Sequence, residues 1–472
     1  MLRSPDHYFS SLHRRKPLMG NRLRHISDLC GFQNILLLKA HPSPAPRAPY
    51  TADGFLIGAP PPCGPAATSS KACQSAAGSI DIILFGDRSM KKTLIVTALS
   101  GVFVTAAHAQ SSVTLYGLID AGITYTNNQG GHSSWSERSG QINGSRWGLR
   151  GTEDLGGGLK AIFVLENGFN IANGTLGQNG REFGRQAFVG LSHDQFGAVT
   201  LGRQYDSVVD YIGPLSLTGT QFGGTQFAHP FDNDNLNNSF RINNAVKYTS
   251  INYGGLKVGA LYGFSNSNQF SNNRAYSAGV SYTYAGFNIG AGYLQLNNDI
   301  SGLTSAAVTN SGGAVAGDNT FVGKRQRVFG GGLNYTFGPA TAGFVFTQSR
   351  VNRALGISAG ASGVSNGLGL DGTFARFNNY EVNARYALTP ALSLAGSYTY
   401  TAGFLDGRHP GWNQFNLQTD YALSKRTDVY VQGVYQRVST DGLGIGAYVN
   451  GLGGASSTNK QIAVTAGLRH RF

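Results

Sequence analysis

Past Met90 the chain has neither cysteine nor methionine, and its three cysteines (Cys30, Cys63 and Cys73) all lie in the first quarter of its 472 residues. The remainder therefore has no disulfide framework, no thiol chemistry and no cysteine-ligated metal. Charged residues are scarce, at 13%. Prolines are few (15) while tyrosine (22) and phenylalanine (27) are plentiful, which excludes a wholly disordered chain. The 67 glycines follow no G-X-Y period, so collagen is excluded. Beyond residue 109 no apolar run approaches the roughly 20 residues of a transmembrane helix. Little charge with only 41% hydrophobic residues suits a polypeptide with one face in lipid and the other in water.

Residues 1–89 carry basic and Pro-rich stretches such as "AHPSPAPRAPYTADGFLIGAPPPCGP", with no sustained period. The run from Met90 to Ala109, "MKKTLIVTALSGVFVTAAHA", has the build of a secretory signal peptide. Lys91 and Lys92 form its positive start, Thr93 to Val104 its apolar stretch, and Ala107-His108-Ala109 its cleavage site. A signal peptide opens a translated chain, so Met90 reads as the true start and 1–89 as upstream of a mis-assigned one. An unusually long export leader is the alternative. The mature protein is expected to run from Gln110 to Phe472.

The formal charge of +13 overstates how basic that mature chain is: it carries 25 Lys+Arg against 19 Asp+Glu. Its cations are scattered among glycine and tyrosine, which argues against nucleic-acid binding.

The mature region alternates in polarity with period 2. Phe415, Leu417, Thr419, Tyr421 and Leu423 fall on one face of a strand, opposed by Asn416, Gln418, Asp420 and Ala422. Leu392 to Tyr400 and Tyr276 to Tyr284 repeat the plan. Side chains alternate between strand faces, so each segment is apolar outside and hydrophilic inside, and about ten tilted residues cross a bilayer. Roughly sixteen such segments join through short turns at Asp154–Gly158, Asp194–Gly197, Tyr253–Gly255, Ala285–Gly286, Gly338–Pro339, Leu388–Pro390 and Ser424–Thr427. Longer loops rich in Gly, Ser and Asn, such as Asn297–Gly323 and Val351–Gly372, lie between the pairs. The pattern predicts an all-β, closed antiparallel transmembrane barrel with short turns at one end and long loops at the other. A soluble β-sandwich would need a packed apolar inner face, and a solenoid a fixed repeat; neither is present. A barrel of about sixteen strands is too wide for side chains to fill, so an aqueous lumen follows.

The last strand places Ile462, Val464, Ala466, Leu468, His470 and the terminal Phe472 on one face. From Gln110 to Phe472 the chain resembles a Gram-negative general-diffusion porin of the betaproteobacterial type. The matching pieces, in order, are "SVTLYGLIDAGI", "SRWGLRGTEDLGGGLKAIFVLE", "GRQAFVGL", "GAVTLGRQYD" and "GLRHRF". The resemblance implies a 16-stranded, trimeric outer-membrane channel whose third external loop folds into the lumen. It also implies that Phe472 is the signal read by the barrel-assembly machinery. The expected surroundings are outer-membrane lipids outside and small hydrophilic solutes and ions inside. The second loop, about Asn170 to Gly180, is expected to latch onto a neighbour in the trimer.

By the same resemblance, Arg146, Arg150, Arg185, Arg203, Arg241 and Lys247 belong to the pore wall. The constriction loop runs from about Asp206 to Ser239, with carboxylates Asp206, Asp210, Asp232 and Asp234. Its family tip pattern P-E-F-G-G is Thr220-Gln221-Phe222-Gly223-Gly224 here, with Gln221 replacing the glutamate. A narrow gap between low-dielectric walls focuses fixed charge. Three or more wall cations facing a partly neutralised loop predict mild anion preference.

An enzyme, a metal site and a cofactor are not expected. The five mature-chain histidines (His132, His193, His229, His409 and His470) read as loop, turn or lipid-face residues without catalytic spacing. The nearest alternative function is a substrate-specific outer-membrane channel.

Overall fold

The structure is a computed structural model, and it describes residues 112–298, 313–315, 321–357 and 368–472. The segments 1–89 and 90–109 lie outside the described residues, as does most of the loop expected between Asn297 and Gly323. Alternating polarity gives strands throughout. In order these are β1 (Ser112–Gln129), β2 (His132–Ser139), β3 (Arg146–Gly156), β4 (Leu159–Gly168), β5 (Gln186–His193) and β6 (Gly197–Gln204). There follow β7 (Ile242–Thr249), β8 (Leu256–Gly263), β9 (Arg274–Tyr284), β10 (Phe287–Asn297), β11 (Phe321–Phe337) and β12 (Ala340–Ile357). The last six are β13 (Leu368–Gly369), β14 (Phe374–Ala387), β15 (Leu392–Phe404), β16 (Gly411–Ala422), β17 (Thr427–Ser439) and β18 (Lys460–Arg471).

Each strand pairs antiparallel with its neighbour, and β1 pairs with β18 from Leu118↔Arg471 to Thr126↔Ala463. Two segments stand outside the ring count. β13 adds only to the top of β12. β2 pairs with the upper half of β1 while β3 pairs with the lower half, so the two form one broken strand. Among the described residues sixteen strands therefore close the barrel, as the alternation predicts. Closure reaches the last residue: Gly117 and Phe472 exchange backbone hydrogen bonds of 3.1 and 3.0 Å. The break between β2 and β3 is organised by Asp120, whose Oδ2 accepts from the Ile142 and Asn143 amides at 2.9 and 2.8 Å.

All seven short turns fall where expected, at one end of the barrel. β12 continues to Ile357, where it pairs with Phe321, so the loop expected from Val351 begins later. The outer face is apolar: Phe415 is 52% and Leu417 62% exposed, against 6% for Asn416 between them. Aromatic side chains such as Tyr284, Tyr335 and Phe337 gather at the short-turn end, as in an interfacial girdle.

The inner face is less uniform than expected. On β7–β12 it carries Ile242, Leu261, Leu294, Leu296, Val328 and Val345, all buried against Val208, Ile212, Leu215, Leu236 and Phe240 of the chain between β6 and β7. That chain is the long internal loop. On β14–β18 the inner face mixes apolar Phe377, Trp412, Val434 and Val438 with Gln414, Gln418 and Gln432, which are buried because the loop covers them.

Candidate functional site

The internal loop begins with a short helix, Ser207–Tyr211, capped by Asp206, whose Oδ1 accepts from the Val208 and Val209 amides at 2.8 and 3.3 Å. The helix lies close against glycines of the inner wall. A Cβ at Gly290 would sit 2.2 Å from the Tyr211 carbonyl oxygen, and one at Gly279 would sit 2.4 Å from the Tyr211 ring. Four short turns then carry the loop across the lumen.

Hydrogen bonds fasten the loop to the far wall. Ser216 Oγ donates to Glu381 at 2.6 Å, the Gly223 amide to Gln418 at 2.6 Å, and Asn450 to the His229 carbonyl at 2.8 Å. Arg469 on β18 donates to the Gln221 carbonyl at 2.9 Å and pairs with Asp428 at 2.5 Å. The tip requires glycine at 224: its φ is +59°, and a Cβ there would meet the Ile142 carbonyl at 1.9 Å. Phe222 is buried with Leu217 and Phe227 against Val434 and Ala463, and the Gln221 side chain is exposed.

Between the loop and the wall of β3–β7 remains a cavity of about 420 Å³. Arg146, Arg185 and Arg241 line it, together with Tyr205, Asn143, Gln178 and the polar run Asn237–Ser239. No carboxylate stands among the described residues of its lining. Arg146 donates to the Gly144 carbonyl at 3.0 Å, and the Arg241 guanidinium lies 5.8 Å from the Tyr205 ring centroid. Arg185 Nε pairs with Glu166 at 2.7 Å, while Tyr205 and Tyr116 hydroxyls donate to the same carboxylate at 3.1 and 3.0 Å.

The other expected wall cations lie outside the cavity lining. Arg150 shares the strand face of Arg146 and stacks at 5.3 Å from the Tyr116 ring centroid. Arg203 follows a bulge after Gly202 and donates to the Gly184 carbonyl at 2.7 Å and to Asn243 at 2.5 Å. Lys247 is taken up by Asp210 and by the Tyr205 carbonyl.

The loop carboxylates turn inward, away from the cavity. Burial raises Asp206 to about 6, although Asn235 donates to it at 2.8 Å. Burial and the nearby Asp234 charge raise Asp232 to about 6, against donation from the Asn237 and Ser239 amides. Burial also pushes Asp210 up, against the pull of Lys247.

His229 departs from the loop-surface role expected of it. It is a loop residue but fully buried, with Nδ1 2.6 Å from Asp234 and Nε2 3.0 Å from Glu381. Burial alone would lower its pKa, but the two carboxylates outweigh burial and hold it at about 10. His229 in turn holds Asp234 below the usual carboxylate range despite burial. Both ring nitrogens are engaged, and no group of three His, Cys, Asp or Glu among the described residues is set to hold a metal ion.

Glu166, Tyr205, Glu381 and Arg469 are site residues that the sequence reading does not single out. Period-2 alternation places Glu381 and Arg469 on inner strand faces, but Arg385 and Arg471 share those faces, so charge alone does not single them out.

Residues 96–443 match the model of the Gram-negative porin family. An outer membrane porin protein of Bordetella pertussis is 33% identical over 418 residues, spanning 81% of this chain and all of that protein. Outer membrane porin protein 32 of Delftia acidovorans is 31% identical over 405 residues, with 81% and 100% covered. Among solved structures, the anion-selective porin from Comamonas acidovorans superposes with a TM-score of 0.59 at 25% identity, covering 77% of this chain and 100% of that one. A barrel packed from its own amino-terminal strand to its last residue, narrowed by an internal loop and akin to these proteins over nearly all its described length, leaves one assignment: the chain belongs to the Gram-negative porin family and forms an outer-membrane passive-diffusion channel.

Proposed function

We propose that the cavity between loop and wall is the constriction of this channel and that it favours anions. The single observation carrying this reading is its lining: three arginines and no carboxylate among the described residues. A water-filled gap between low-dielectric walls concentrates the field of such charges and enriches the opposite ion. Glu166 offsets Arg185, while Arg146, held by the Gly144 carbonyl, forms no ion pair with a described residue and supplies surplus positive charge. Asp210 occupies Lys247, Asp206 and Asp232 accept from the loop's own Asn235 and Asn237, and Asp234 is engaged by His229 and by Thr347 of the wall. Arg150 continues the basic track two rows toward the short-turn end. The similar Comamonas acidovorans protein is an anion-selective porin, which supports the same sign here.

The channel carries no catalytic role in this reading: the buried His229 has both nitrogens committed to holding the loop. Three copies assemble through the apolar outer wall near β1 and β18, as symmetric closure of a self-complementary face allows, and Phe472 completes the strand that assembly machinery recognises.

The test is the zero-current potential across a planar bilayer under a salt gradient, using protein refolded from Gln110. Anion preference that fades as salt screens the wall is expected. Cation preference at low salt would refute the assignment, and saturable block by one solute would favour a substrate-specific channel.

A further inference from the structure

Where the internal loop does not lie against it, the inner wall of β3–β5 turns apolar side chains toward the lumen. Glu166 points inward to Tyr116 and Arg185, so alternation along β4 turns Val164 and Ile162 inward as well. On β5 Phe188 stands directly opposite Val164, and its neighbour Val189 is 58% exposed on the outer face. On β3 the exposed Arg150 stands directly opposite Val164 from the other side. One inner row therefore reads Arg150, Val164, Phe188 across adjacent strands, with Ile162 one row nearer the short turns.

These apolar residues differ from those of β7–β12, which the internal loop covers. Ile162, Val164 and Phe188 belong to none of the buried clusters that join loop and wall, and each is only half-buried. Gly202 faces Phe188 from β6 and Gly190 follows it on the same face, so neither neighbour adds a side chain over the ring. Apolar surface left in water favours a solute that covers it. At the other end of the row, the Arg150 guanidinium lies 5.3 Å from the Tyr116 ring centroid and forms no ion pair with a described residue. Its charge is open to a solute anion.

The order of the row identifies the solute. Arg150 and Phe188 are two strand spacings apart, about 10 Å between backbones, with only Val164 between them. A planar ring carrying one carboxylate matches that sequence of charge and grease. The carboxylate meets the guanidinium through charge-assisted hydrogen bonds, and the ring lies on Val164 and Phe188. A small inorganic anion leaves the apolar end uncovered, and a neutral arene leaves the cation unmatched. We infer that this row is a binding site for arene carboxylates, on the short-turn side of the constriction. The inference rests on the water-filled lumen of the channel reading and does not use the sign of its ion preference. The chloride reversal potential reads the constriction and the comparison of two carboxylates reads this row, so either can fail without the other.

Chloride current through single channels of the refolded protein, titrated with sodium benzoate or sodium acetate at neutral pH, tests this. Benzoate should reduce the wild-type current at about a tenfold lower concentration than acetate, because ring burial adds to a shared charge contact. Phe188→Ser should bring the two salts to within about a factor of two of each other. Arg150→Gln should weaken block by benzoate about tenfold, as loss of a charge-assisted bond implies. Equal block by benzoate and acetate in the wild type, or an undiminished preference for benzoate in Phe188→Ser, would overturn the inference. Should Phe188→Ser fail to fold, Val164→Ser, which removes the neighbouring apolar contact, and the wild-type comparison decide instead. Block by neutral benzyl alcohol at the same concentration as benzoate would reassign the row to uncharged solutes and overturn the carboxylate.

Discussion

His229 Nε2, on the internal loop, lies 3.0 Å from Glu381 Oε2 on the barrel wall. The same carboxylate accepts from Ser216 Oγ at 2.6 Å and, through Oε1, from the Leu217 amide at 2.9 Å. One wall side chain thus gathers three points of the loop. Removing one partner of a buried ion pair costs about 3–5 kcal/mol. Glu381→Gln is therefore expected to loosen the loop while the barrel stays closed by its backbone ladder. Single-channel recordings should show larger, noisier currents, and limited proteolysis should cut within 207–239. Quiet wild-type currents from the variant would contradict this role.

Alkali should reproduce that release. The His229 pKa is raised to about 10, so its contribution is complete below the unfolded value near 6.5 and is lost as pH rises through about 10. Current noise should set in near that pH in the wild type. His229→Asn, lacking the titrating group, should be noisy throughout and show no such onset.

Acid should act on selectivity instead. Asp206 and Asp232 are raised to about 6 by burial. Their ionisation opposes folding of the loop above the unfolded pKa, and protonation on lowering pH through about 6 relieves that cost and removes negative charge near the gap. Anion preference should therefore grow between pH 7.5 and pH 5. Reversal potentials in Asp206→Asn with Asp232→Asn should vary less over that interval.

Neutralising the wall should separate lining from structural cations. Arg146→Gln combined with Arg241→Gln is expected to shift selectivity toward cations without stopping conduction. Lys247→Gln should change it less, because Asp210 already offsets that charge. The reversal-potential shifts of the two variants, measured at one low salt concentration, give the comparison.

Gly290→Ala should disturb the loop from its other side. The added Cβ falls 2.2 Å from the Tyr211 carbonyl oxygen, and such overpacking typically costs about 1–3 kcal/mol. Conductance should change while the circular-dichroism signal of the sheet does not.

Much of the fold is legible in the sequence because it is written locally. Period-2 polarity sets the strands, and Gly, Pro and Asn mark the seven short turns. Motifs bring out Arg146, Arg185 and Arg241, which share the lining of the cavity between loop and wall. What stays hidden depends on pairings between distant residues. Nothing near Asp232 or Asp234 says that they fold inward, since their partners are Ser239, His229 and Thr347. Strict alternation from Leu201 would aim Arg203 outward, whereas the irregularity between Gly202 and Gln204 breaks the period and Arg203 is buried. Leu294 and Leu296 carry a clue of a different kind: an apolar residue on the face meant for water signals that protein, not water, covers it.

The loop's holding points on the far wall lie on β14, β16 and β18, far downstream in the chain. Narrowing of the passage must therefore wait until the final quarter of the polypeptide has joined the sheet. A partly built wall is a wide, unguarded opening, and its aperture acquires its working size only as the seam at Gly117 and Phe472 is about to shut.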